Sequence, residues 1–199
     1  FTSGLVTTMR ETNAANWEEN YNFPRMQSGE VVRSIIPHQR PSGMTGLVMN
    51  TRNPQFDDWR VREALIQAFN FDYINLTLNG GTEPRIASYF SNSVLGMEEG
   101  PATGRVAEFL APFEADLLPG ALEGYSLPQG DGGEANRAGI RAAMALFEEA
   151  GYVVQDGVMT GPDGAPFTFE ILLQQGSTEN QSVVNIYVEA LERLGITPS

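Results

Sequence analysis

The chain has 199 residues, 41% of them hydrophobic, and a formal net charge of -13. That length and apolar share suffice for one buried core, while the acidity argues against nucleic acid, which needs basic patches, and reads as a solubilising surface. With no Cys, disulfide and thiolate chemistry are excluded, and no apolar run approaches the roughly 18 residues of a membrane span.

Leu5 to Met9 reads as a short strand, and Asn13 to Tyr21 as a helix capped by Thr12 or Asn13. Trp17 and Tyr21 share a face at i, i+4, which predicts an aromatic pair packed in the core. Val31 to Pro37 is a second expected strand, and the Pro41-Ser42-Gly43 turn leads into a third over residues 44–50. Next comes the most informative stretch, Met49 to Asn70. Val61, Ala64, Leu65, Ala68 and Phe69 fall at i, i+3, i+4, i+7 and i+8, one apolar stripe of a helix over about 58–69. Asp57 or Asp58 caps its first turn, and Pro54 holds Asn53 extended.

Asp72 is placed to cap a short helix through Leu78, ended by Gly80-Gly81. Residues 82–97 lack periodicity and read as a long ordered loop carrying Tyr89 and Phe90. Thr103 to Leu117 is a helix with Val106, Phe109, Leu110 and Phe113 on one side, kinked or cut short by Pro112. An irregular excursion over about 118–135 follows, without a second core. Asn136 to Ala150 is a helix with Ile140, Ala143, Met144 and Phe147 inward and Gly151 as its left-handed cap. Asp156-Gly157 marks a hairpin, and Pro162-Asp163-Gly164 a turn. Phe167 to Leu173 is a strand, and Glu179 to Leu194 a helix burying Val184, Tyr187, Val188 and Leu191. Strands alternating with helices indicate an α/β fold with a mixed sheet.

The ends carry an expectation of their own. Phe1-Thr2-Ser3-Gly4 shows none of the features of a signal peptide. Ile196 to Ser199 reads as the start of a further strand, so a β–α–β crossover is left half made and the chain is expected to be a piece of a longer one.

Enzyme chemistry finds little footing. The one imidazole, His38, lies in a turn and reads as a surface residue. Metal centres built on His and Cys cannot be assembled, and Asp131-Gly132-Gly133-Glu134 lacks the alternating acids of a calcium loop. Neither phosphate-cradling glycine motif occurs. What remains are polar residues at strand ends and an aromatic loop, which suits a binding cleft. Asn50 and Arg52 follow the central strand, although Asn50 could instead tie down the turn before Pro54. Tyr89, Phe90 and Asn92 could line a cleft from the long loop, with packing of Phe90 beneath that loop as the alternative.

Five motifs in order carry a resemblance: Asn50-Thr51-Arg52 with Pro54-x-Phe56-Asp57-Asp58 and the helix after it; Ser88 to Ser93; Leu118-Pro119; Glu149-Ala150-Gly151-Tyr152; and Phe167 to Leu173. Together they resemble family 5 extracellular solute-binding proteins, the receptors of peptide and nickel ABC importers. The nearer likeness is to the oligopeptide branch that includes the microcin C peptide-uptake receptor. The resemblance implies a type II periplasmic-binding-protein-like lobe, residues 1–199 being a single, incomplete second lobe. It implies a substrate-binding component without enzyme activity or cofactor, which captures oligopeptides or peptide-like compounds in the periplasm for ABC permease subunits. It also assigns ligand contacts to Arg10, Glu11 and Thr12 by position; a salt bridge of Arg10 or Glu11, with Thr12 capping the helix, is the alternative. The family's acid for a peptide amino terminus lies beyond Ser199. An exposed sheet edge in such a fragment invites a non-physiological dimer. The alternatives in other classes are an interaction module without a small-molecule ligand and a hydrolase whose catalytic residues lie outside these residues.

Overall fold

Packing centres on helix α3 (Trp59–Ala68). The computed structural model describes residues 1–199, the side chains of residues 14 and 15 apart. Asp58 caps α3 by accepting from Arg60 N–H at 2.8 Å, and Val61, Ala64, Leu65 and Ala68 are buried as the stripe requires. Phe69 is already extended at the C-cap and only half-buried. Helix α4 (Phe71–Asn79) starts at once, capped by Asn70 rather than by Asp72. Asp72 instead accepts a hydrogen bond from Gly130 N–H.

Two further helices cover α3. Helix α6 (Arg137–Glu149) buries Ala143 and Phe147, and half-buries Ile140 and Met144. It comes close to α3 at Gly139, where a Cβ would stand 2.3 Å from the Gln67 carbonyl oxygen. Only glycine fits that gap. Beyond Gly151, Tyr152 N–H returns to Phe147 O at 2.8 Å, and the chain enters the hairpin of β1 (Val153–Gln155) and β2 (Val158–Thr160). Asp156 and Gly157 both take positive φ, the turn whose twist matches that of the strands. Helix α7 (Thr178–Glu192) buries Val184, Tyr187, Ala190 and Leu191, and the Tyr187 hydroxyl donates to Leu65 O at 2.9 Å. One continuous apolar cluster results, with Phe56, Met159, Phe167, Leu194 and Ile196 at its sheet side.

The sheet is smaller than the sequence predicts. Regular strands are confined to β1 and β2, which pair antiparallel. Residues 167–171 are extended beside them: Phe167 N–H donates to Met159 O at 2.7 Å. On their other side Ser199 N–H donates to Phe169 O (3.0 Å), and Ile171 N–H donates to Ser199 O (2.9 Å). That is the alternation of a parallel pair, closed around α7. The expected strands near 5–9, 31–37 and 44–50 do not form. A strand exists only where a neighbour completes its ladder, and no described segment pairs with these three. Most of their apolar side chains stay in water, with Ile35 81% and Val48 95% exposed, while Met49 packs against the core. The α/β character stands, as helices packed on a small sheet.

Other expectations shift in detail. Helix α1 (Ala14–Glu19) is capped by Asn13, with no role for Thr12. Trp17 and Tyr21 stack at 5.8 Å with Arg33 over the indole, but they are half-buried and stand outside the core. A short helix α2 (Pro24–Gln27) follows. Helix α5 (Gly104–Leu110) gives way to a 3-10 segment (Ala111–Asp116) at Pro112, as the missing N–H dictates.

Candidate functional site

The candidate residues occupy three places. At the first, Glu11 stands just ahead of α1, and both its oxygens are engaged. Oε1 accepts from the backbone N–H of Thr12 (2.9 Å) and Asn13 (2.8 Å), and Oε2 from the Tyr21 hydroxyl (3.1 Å). The Asn13 N–H is the main reason its carboxyl sits below the usual carboxylate range, against some opposing desolvation. Desolvation, and then the hydrogen bond to Glu11 and its charge, push the Tyr21 hydroxyl upward. Glu11 therefore fixes the entry to α1, while Arg10 and Thr12 stand exposed beside it.

At the second place Asn50 Oδ1 accepts from Arg52 N and Nε, each at 3.3 Å, and the Asn50 carbonyl accepts from Asn53 N–H at 2.9 Å. Asn50 thus builds the turn before Pro54, and both Asn50 and Arg52 are exposed. Sequence reasoning missed the anchor of this turn. Phe56 is buried edge-to-face against Phe167 and Phe169, at centroid distances of 6.2 and 5.5 Å. Gln55 Nε2 adds a bond to Thr168 O at 3.1 Å. The signal was the aromatic two residues after Pro54, which opens a 3-10 turn over Pro54–Phe56.

The third place is the long loop. Asn92, at φ 65°, donates through Nδ2 to His38 O (2.8 Å) and Arg40 O (3.0 Å), and Ser42 N–H donates to Ser91 O at 2.9 Å. These bonds clamp the loop to the His38 turn. A shallow open depression of about 570 Å3 lies alongside, lined by Gln39, Ser88, Ser91, Asn92, Met97 and Glu98 among others. Tyr89 and Phe90 point away from the core, 72% and 49% exposed, so Phe90 is not packed beneath the loop. Within reach of a ligand, these two rings offer stacking faces and the Asn92 turn offers polar edges.

No hydrogen bond joins the three places among the described residues. A more enclosed cavity of about 270 Å3, between the C-terminal end of α3, residues 128–130 and α6, is lined by Gln67, Asn70, Gly130 and Asn136 among others. Its amides serve the fold: Asn70 Nδ2 donates to Gly133 O (2.8 Å) and Asn136 Nδ2 to Gln67 O (3.0 Å). Among the described residues no group of three His, Asp or Glu side chains is placed to hold a metal ion. Asp131 closes its own turn onto Gly133 N–H, and Glu134 faces Arg193. No described helix is long and apolar enough to cross a membrane.

A family model described as "Bacterial extracellular solute-binding proteins, family 5 Middle" matches residues 1–199. A binding protein of Brucella melitensis, BMEII0691, is 34% identical over 98% of this chain and 32% of its own length. The peptidoglycan-binding protein YepA of Agrobacterium fabrum is 33% identical over 93% of this chain and 30% of its own. The chain thus spans about a third of the curated relatives it matches. Among solved structures, NikA from Brucella suis in complex with Fe(III)-EDTA aligns with a TM-score of 0.51 at 21% identity, over 77% of this chain and 24% of that one. The oligopeptide-binding protein AppA from Bacillus subtilis, in complex with a nonapeptide, aligns at 0.50 and 20% identity, over 75% and 24%. At such identities the likeness concerns the fold.

Proposed function

Because this chain belongs to the bacterial extracellular solute-binding proteins of family 5, we propose that the whole protein captures oligopeptides or peptide-like compounds in the periplasm and delivers them to an ABC permease. The observation that carries this reading is the family match along all of residues 1–199. Relatives and neighbours named for peptidoglycan and oligopeptide binding support the ligand class. In this reading the chain is most of one lobe, and the protein holds its ligand without chemical turnover.

The ligand would lie against a wall formed by Arg10, Glu11, Thr12, Asn50, Arg52, Tyr89, Phe90 and Asn92. Glu11 and Asn92 act there mainly as positioning residues, since their polar atoms already hold α1 and the loop. Direct contact falls to Arg10 and Arg52, which suit carboxylates, and to the rings of Tyr89 and Phe90. An extended peptide would gain affinity from backbone hydrogen bonds, with broad tolerance of side chains. Closure of a second lobe would exclude water from the bound state.

The test uses full-length protein and a defined peptide pool. Thermal melting is expected to shift upward by an amount set by saturation, about 2.7 kcal/mol of linkage at a hundredfold excess over Kd. Mass spectrometry should recover the peptides intact. Peptide cleavage would instead identify a hydrolase, and no shift with any peptide or nickel complex would identify an interaction module.

A further inference from the structure

The cavity of about 270 Å3 between the C-terminal end of α3, residues 128–130 and α6 is built as a site, and it shares no lining residue with the wall of the candidate cleft. Its floor is closed. Asn70 and Asn136 are 5% and 7% exposed, and further chain packed on these residues could only bury them more. Two glycines let the walls draw together: a Cβ on Gly139 would meet the Gln67 carbonyl oxygen, and one on Gly130 would stand 2.9 Å from Asn70 Oδ1. Residues 128–130 form the rim. They are fastened there by the Arg85 guanidinium, which donates to Pro128 O, and by Gly130 N–H, which donates to Asp72.

Asn136 carries the chemistry. It precedes the helix α6, where an asparagine side chain ordinarily caps, yet it stands at φ 39° and caps nothing. A left-handed backbone at a residue other than glycine is strained, and such strain collects at ligand sites. Asn136 Nδ2 donates to Gln67 O at 3.0 Å, which leaves Oδ1 without a partner among the described residues. No sealed side-chain atom is left unpaired, so this oxygen opens on the cavity that the residue lines. Gln67 repeats the pattern: Nε2 donates to Glu63 Oε1 at 2.8 Å, and its own Oε1 accepts nothing among the described residues. Gln129, on the exposed rim, leaves both ends of its amide free there.

Opposite these amides stand Phe69, Pro128 and Ala142, and no charged side chain lines the cavity among the described residues. Such a lining suits hydroxyl groups on an apolar ring. Each hydroxyl both donates and accepts, and C–H edges are drawn to the negative face of an aromatic side chain. A charged ligand would be buried without a counter-charge. The volume falls just short of drug-sized pockets, which start at about 300 Å3, and has room for one pyranose ring. We propose that this cavity is an accessory site for a neutral monosaccharide, with Asn136 and Gln67 accepting from its hydroxyls and Gln129 closing over it. The site goes beyond peptide capture and does not depend on it.

Saturation-transfer NMR of the full-length protein with glucose reads the site, with glucuronate and protonated glucosamine as charged counterparts. Glucose should give a saturable signal that a saturating peptide leaves in place, and each counterpart should bind weaker by about tenfold or more. Ala142→Leu keeps a helix-forming residue and fills the cavity; it should abolish the glucose signal while the peptide-induced rise in melting temperature persists. Gln129→Ala, on a rim outside the core, should weaken glucose severalfold whether or not the leucine variant folds. No glucose signal from the parent protein would overturn the proposal, because the cavity would then hold water alone or be filled by the protein's own remaining chain. Glucose binding that is unchanged in both variants, displaced by peptide, or matched by the charged counterparts would overturn it as well. A parent protein that binds glucose and no peptide would count against peptide capture and leave the sugar site standing.

Discussion

Phe147 and Asp58 illustrate two ways in which single residues hold this fold. Phe147 is fully buried and meets Tyr152 and Phe167 edge-to-face at 5.6 and 5.5 Å. Phe147→Ala leaves a cavity beneath the hairpin and should cost about 3–5 kcal/mol, read from urea midpoints of residues 1–199. Asp58 both caps α3 and pairs with Arg60 at 2.6 Å. The Arg60 guanidinium hydrogen bond is the main reason its carboxyl sits below the usual range. Because the folded-state pKa is depressed, the stabilisation is complete above the unfolded value near about 4 and is lost as pH falls through the lower folded value. Asp58→Asn keeps a capping oxygen but should flatten that acid limb. Asp58→Ala should also lose the cap, about 1 kcal/mol at neutral pH. Thermal melts from pH 2 to 7 would separate the two substitutions.

Among elements, the helices and the extended segments differ in where their hydrogen bonds come from. α3, α6 and α7 satisfy their backbones internally and bury one face each. Residues 31–37 and 44–50 have no ladder partner among the described residues. Hydrogen exchange of residues 1–199 should therefore show protected amides in the three helices and near-unprotected rates in those two segments. Strong protection at Val32 to Ile36 would mean that they pair in solution. The α3–α6 contact is equally specific, since the Gly139 gap admits no Cβ. Gly139→Ala must part the two helices, at about 1–3 kcal/mol, and should lower the melting temperature although alanine favours a helix.

For the whole molecule the decisive quantity is how much of a ligand one wall can hold. The three candidate places lie on turns and loops outside the apolar cluster of the core. Residues 1–199 should fold yet bind peptide weakly, because closure removes water only when a second surface covers the ligand. At roughly 1.4 kcal/mol per tenfold, losing about 4 kcal/mol of contacts turns micromolar affinity into millimolar. Calorimetry with a peptide that saturates the full-length protein checks this. Tight binding by residues 1–199 alone would mean that these residues hold a complete site.

The helices around Val61, Ala143 and Leu191 were legible in the sequence, because a helix closes its own hydrogen bonds and shows its buried face as a 3.6-residue period. The hairpin was legible too, since Asp156-Gly157 favours the turn its strands need, and the ordered motifs pointed to the family. The strands expected over 5–9, 31–37 and 44–50 were not decided there, because a ladder is made by a neighbour that local pattern cannot supply. Residue type made Glu11, Asn50 and Asn92 candidates for a ligand. The local alternative at Asn50, tying down its own turn through Arg52, was open in the sequence. Only the tertiary structure decided that Tyr21, His38 and Arg40 already engage the polar atoms of Glu11 and Asn92, because a hydrogen bond between distant residues exists only once the chain has folded.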